Sequence, residues 1–292
     1  MIFLCFCDRI KMLSLSSEKK KGINDAKGSK IDSVNGIVQM TKEQFLELKE
    51  QLKNTIIEYE QLQRTSNFIK QAYLIQFSQE LEEETYLNEE NKVMMAAIKM
   101  KADQQTNQQI EEYLSQAKKE MKVKNDQFHT NLALAKDMEK RCSHYNPIDM
   151  QKLDQEYAEY CSVYHPIMKA HSTDMEKSIY NTLSMLYRMG NLQGFRGFLQ
   201  ENKDLLTSAP ILEEDYDSLA VFYRMSIDNL SALIEKNKNS FPLTHTKYVS
   251  TYDDITAHMG QLREKLYQLK EMNQALHQDF KAQFSMDYNI ES

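Results

Sequence analysis

The 292 residues carry a net charge of −7, with 27% charged residues, only seven glycines and no tryptophan, and a mean hydropathy of −0.64. That balance fits an elongated helical protein better than an α/β enzyme. Without a lysine- or arginine-rich stripe interleaved with aromatics it also argues against a nucleic-acid partner. The cysteines (Cys5, Cys7, Cys142, Cys161) show no framework spacing, which favours a reducing, cytoplasmic setting, and no apolar run approaches the ~18–20 residues of a spanning helix.

Residues 1–40 hold Gly22, Gly28 and Gly36 among Ser, Lys and Asn and read as a disordered arm. The opening Met-Ile-Phe-Leu-Cys-Phe-Cys is too short for a secretion signal. Acylation of Cys5 and Cys7 beside Arg9, Lys11 and Lys19–Lys21 is weighed against an unstructured leader, and the leader is preferred.

From Ile37 to Asn146 there is neither proline nor glycine, and Lys, Glu and Gln dominate, so residues 41–145 read as one long coiled-coil helix. Thr41 and Gln44 form a capping box at its start. Its seam runs Phe45, Leu48, Leu52, Thr55, Tyr59, Leu62, Ser66, Ile69, Tyr73, alternating three and four. The seam weakens through Glu80–Asn91 and nearly vanishes at Lys99–Gln109. There the helix either continues, solvated, or bends back. With no Gly, Pro or Asn-Gly present, continuity is favoured, and a rod from Thr41 to Arg141 would reach roughly 150 Å.

Residues 146–242 read as a bundle of short helices. Asn146-Pro147 starts the first, Pro166 interrupts it, and Gly190-Asn191 stops the second. A short amphipathic piece covers Leu192–Asn202, and a helix with a wide apolar face follows Pro210 to about Lys238. Residues 243–285 form the clearest coiled-coil helix. Met259, Leu262, Leu266, Leu269, Asn273, Leu276 and Phe280 keep four/three spacing, with Asn273 at an a position where a buried polar residue fixes register. Residues 286–292 are a tail.

The flanks of that last seam are basic. Arg263, Lys270 and His277 fall at e, and His258 and Lys265 at g, which opposes a parallel homodimer. A helix with glutamates beside its seam would suit these flanks. Within the chain only Glu80–Glu90 qualifies, but its seam is poor, so a different coiled-coil protein is the expected partner. On this reading, replacing Asn273 by Ile raises stability and loosens partner choice.

Candidate chemistry is weak throughout. Cys142-x-His144 and Cys161-x-x-x-His165 do not match zinc spacing. Asp126-x-x-His129 is a solitary near-match to a di-iron element, and Gly194-Phe-Arg-Gly197 lacks the rest of a phosphate loop. No catalytic, cofactor or metal residue is assigned. The candidate partner-binding residues are Phe45, Leu48, Leu52, Tyr59 and Leu62 with Met259, Leu262, Leu266, Leu269, Asn273, Leu276 and Phe280. The expectation is an all-α, non-catalytic scaffold subunit, with a cytoskeletal or ciliary home suggested by the shape of a long rod. The alternatives are a membrane tether, which needs a basic face, and a non-catalytic subunit of an enzyme complex.

Overall fold

A computed structural model describes residues 40–142, 147–169, 172–206, 211 and 215–284. The expectations for the arm before Met40, for Cys5 and Cys7, for His144, for the Asn146 cap, for Pro210 and for the tail lie outside these residues. The protein is all-α: among the described residues there are eight α-helices, joined by turns and short 3-10 segments, and no strand. The helices are α1 (Lys42–Gln76), α2 (Ser78–Ala102), α3 (Asn107–Cys142), α4 (Pro147–Tyr164), α5 (Asp174–Arg188), α6 (Leu192–Asn202), α7 (Tyr216–Lys238) and α8 (Tyr252–Phe284).

Over its described residues, to Cys142, the 41–145 segment is therefore not one rod but three helices, and the bend-back alternative holds. At Phe77 the interruption is slight. Phe77 N–H still reaches the Tyr73 carbonyl at 3.1 Å, and Leu81 N–H reaches that of Phe77 at 2.9 Å. At Asp103–Thr106 the reversal is complete. Gln104 takes a left-handed conformation with φ +59. Its N–H bonds the Lys101 carbonyl at 3.1 Å while Gln105 N–H bonds that of Met100 at 3.0 Å. This is a Schellman stop with glutamine where glycine is usual. Thr106 and Gln109 then cap α3 reciprocally, Gln109 N–H to Thr106 Oγ1 at 3.3 Å and Thr106 N–H to Gln109 Oε1 at 3.0 Å. The same Thr-x-x-Gln box opens α1 at Thr41 and Gln44, so the start of α3 was written in the sequence although the turn residue was not.

The described residues divide into two units, each drawn from two segments: residues 40–70 with 138–246, and 71–137 with 247–284. This differs from the consecutive blocks expected from the sequence, because each unit closes over chain-distant helices.

In the first unit α1 packs with α4 to α7 around one core of Phe45, Leu52, Ile56, Leu153, Tyr157, Leu183, Tyr187, Phe195 and Tyr223. Phe45 stacks on Tyr216 with centroids 4.3 Å apart. α5 begins with a Thr173/Glu176 capping box and ends at Gly190, whose φ of +66 belongs to a second Schellman stop, Asn191 N–H to the Leu186 carbonyl at 2.9 Å. A Cβ built on Gly190 would lie 2.7 Å from Phe68 Cζ, so both the conformation and the close approach require glycine.

In the second unit α2 and α3 form an antiparallel hairpin, with Lys124 Nζ 2.5 Å from Glu89 and His129 Nε2 3.1 Å from Glu82. α8 lies parallel to α2. Met94, Ala97, Ile110 and Phe280 close one end of the bundle, and Phe280 stacks on Phe284 at 4.3 Å.

Candidate functional site

The twelve residues singled out for partner binding separate into two places. Phe45 and Leu52 are buried in the core of the first unit, with Leu48 partly buried against it. Tyr59 and Leu62 are only partly buried. Their turns of α1 direct Glu60 and Arg64 inward instead, each 1% exposed. The apolar face thus continues Leu52, Ile56, Glu60, Arg64, Phe68, with two charges in phase with it. Hydrophobic periodicity does not register such positions, although the i, i+4 spacing that places them on the core side is visible.

Those charges form a clamp between α1, α4 and α5. Arg64 meets Asp154 with both nitrogens of its fork, Nη1 to Oδ1 at 2.8 Å and Nη2 to Oδ2 at 3.0 Å. Its guanidinium lies 4.7 Å from the Tyr187 ring centroid, and the Tyr187 hydroxyl donates to Asp154 at 2.5 Å. Arg188 donates twice to Glu60, at 2.5 and 2.6 Å, and the Tyr180 hydroxyl adds a longer bond at 3.4 Å. Tyr157 stacks on Tyr187 at 3.9 Å and shares a hydrogen bond of 3.0 Å with Ser184. A second buried pair joins Lys169 to Glu176, the latter also completing the α5 capping box.

Burial pushes the Cys161 thiol far up its range and holds the His165 imidazole down to about 3, so at neutral pH one stays a thiol and the other is uncharged. His165 Nδ1 accepts the Ile167 N–H at 3.1 Å and caps the Pro166–Met168 turn. Among the described residues no group of three His, Cys, Asp or Glu is placed to hold a metal. The arrangement is a set of buried ion pairs, in which Arg64 Nε and Nη1 and the Tyr160 hydroxyl have no hydrogen-bond partner among the described residues. Such pairs fix geometry between helices, and breaking one strands its partner.

The C-terminal seam points inward within the second unit. Leu262, Leu266 and Phe280 are buried, and Met259, Leu269, Asn273 and Leu276 are partly so. Within the chain this seam packs on the acidic helix α2, the intrachain candidate that the sequence reading set aside. Arg263 pairs with Glu80 at 3.1 Å, Lys265 with Glu84 at 2.6 Å, Lys270 with Glu83 at 2.6 Å and His277 with Glu90 at 3.5 Å. Every flanking residue named above except His258 meets a glutamate. His258 instead sits in an aromatic cluster, stacked 3.9 Å from Tyr248 and 2.9 Å from the Tyr73 hydroxyl.

Asn273 Nδ2 donates to Glu90 at 2.8 Å and to Asn91 Oδ1 at 2.9 Å, so the expected buried polar position is matched by two polar residues of α2. The α2 seam looked poor because its core positions include Glu80, Glu90 and Asn91 beside Leu87, Val93, Met94 and Ala97, all buried. These carboxylates and this amide are inside because α8 supplies their partners.

No helix among the described residues is long and apolar enough to cross a membrane. No protein-family profile, curated protein or solved structure matches this chain.

Proposed function

We propose that the protein is a non-catalytic helical interaction subunit, a preassembled module that contributes binding faces to a larger assembly. The observation that carries this reading is on α7. Its inward face is fully used, with Tyr216, Ala220, Tyr223, Ile227 and Ile234 buried. Its outward face presents Val221, Phe222, Met225 and Leu233 at 57, 47, 60 and 42% exposure. Isolated apolar side chains on a surface need no explanation, but a row along one helix face marks an interaction site. The buried charge clamp supports the same reading, since pairs of this kind hold helices in one arrangement and so keep an outer face pre-organised. The long rod that suggested a cytoskeletal or ciliary home is interrupted by the α2–α3 turn, so that analogy loses its premise.

The test is to isolate the full chain from its native source under mild conditions and measure its sedimentation. An assembly of defined stoichiometry is expected, and it should dissociate when Phe222 and Met225 are both replaced by lysine in a chain that keeps its helical circular dichroism. A chain that sediments alone, or an assembly indifferent to that double replacement, overturns the reading.

A further inference from the structure

We infer that the groove between the first turns of α1 and α7 binds a basic amphipathic helix of a partner protein, an inference that rests on the interaction-subunit reading and specifies the partner's chemistry. The two helices run parallel here. Phe45 stacks on Tyr216, and further along Glu58 meets Lys238 at 3.3 Å. Between them lies a space of roughly 420 Å³ lined, among the described residues, by Met40, Gln44, Leu48, Asp217, Ala220, Val221 and Arg224. Its floor is apolar: Leu48 and Met40 pack on the main core and Ala220 is buried. From Val221 the apolar surface continues along α7 to Met225.

The rim carries the information about what fits. At 3.6 residues per turn, the residues next outward from the groove are Glu43 and Glu47 on α1 and Asp228 on α7, all exposed. With Asp217 they set, among the described residues, four carboxylates around the groove against the guanidinium of Arg224. Asp217 also accepts the Met40 N–H at 2.9 Å, which ties the residue before α1 to the first turn of α7. Lys42, Lys49 and Lys53 fall on the opposite flank of α1 by the same helical step. An apolar floor with an acidic rim is complementary to a helix whose apolar residues at i, i+3/i+4 and i+7 are flanked by Lys or Arg. A second copy of this face would set carboxylates against carboxylates, which disfavours self-pairing through it.

The probe is a fluorescein-labelled 18-residue Leu/Lys amphipathic peptide, titrated into the full chain and followed by polarisation. Saturable one-to-one binding is expected, weakened at least ten-fold by Val221→Arg or by Glu47→Lys and unchanged by Val123→Arg. The last is a matched control that adds the same charge at another exposed valine, 67% exposed on α3. A Leu/Glu peptide of the same length should not bind. Equal weakening by Val221→Arg and Val123→Arg would reduce the effect to net charge and overturn the inference. So would binding of the Leu/Glu peptide, or a wild-type dimer that Val221→Arg converts to monomer. An intact native assembly that tolerates Val221→Arg and Glu47→Lys but not the Phe222/Met225 double replacement would sink this inference alone and leave the interaction-subunit reading standing.

Discussion

Replacing Asn273 by isoleucine discriminates between a seam open to any partner and the one seen in the structure. On coiled-coil grounds alone the change should stabilise, because an a-position asparagine trades stability for register. The structure reverses the sign. Asn273 is only partly buried, so isoleucine gains a fraction of the ~1.5–3 kcal/mol of full side-chain burial, about 1 kcal/mol. Against this, the Glu90 carboxylate and the Asn91 amide, 6% and 2% exposed, lose the donor that reaches each of them. A hydrogen bond to a charged group contributes ~1.5–3 kcal/mol and a neutral one ~1. Among the described residues Glu90 keeps its longer approach to His277 at 3.5 Å. The net expectation is a loss of about 2 kcal/mol, read in urea as a lower midpoint with an unchanged m-value for the transition that includes the second unit. A double-mutant cycle with Glu90→Gln isolates the cause: once Glu90 is neutral, Asn273→Ile should cost at least 1 kcal/mol less, a coupling of the usual size for contacting groups. A raised midpoint, or equal cost in both backgrounds, would refute the reasoning.

Gln104→Gly should stabilise by ~0.5–1 kcal/mol, because the left-handed conformation costs an L-residue about 1–2 kcal/mol and glycine little; an unchanged or lower thermal midpoint would contradict the Schellman assignment. Arg188→Met strands the buried Glu60 carboxylate and should cost roughly 3–5 kcal/mol, whereas Glu60→Gln with Arg188→Met should recover most of it; denaturant midpoints of the three variants decide this. Burial lowers the His165 pKa to about 3 from 6.5 in the unfolded chain. Between those values the unfolded state takes up a proton that the folded state refuses, so stability falls as pH drops below ~6.5, by up to ~1.4 kcal/mol per pH unit. His165→Asn keeps an acceptor for the Ile167 N–H and should flatten that slope. Parallel stability curves for the two proteins would show that His165 is not the group involved.

What the sequence determined by itself is local. Helical type follows from composition and periodicity across nearly every described residue. Boundaries were legible at the Thr41/Gln44 box, Pro166, Gly190 and the four/three repeat of α8, whereas the Thr106/Gln109 and Thr173/Glu176 boxes went unread. The basic flanks of α8 even specified the partner it takes, a glutamate-flanked helix able to meet Asn273. What only the tertiary structure decided is which helix that is. α2 hides its seam from any hydrophobic count, because Glu80, Glu90 and Asn91 are buried through bonds to residues ~180 positions away. The turn at Gln104 stayed unread because glutamine carries no preference for the left-handed region, and packing of α3 on α2 has to hold it there. Glu60 and Arg64 were unread as core residues for the same reason as Glu90. A charge is excluded from an interior only until a partner arrives with matched geometry, and the partners here, Arg188 and Asp154, sit on other helices. Local propensity is a property of neighbours along the chain, whereas the burial of a charge depends on neighbours in space, and those exist only once the helices have closed over one another.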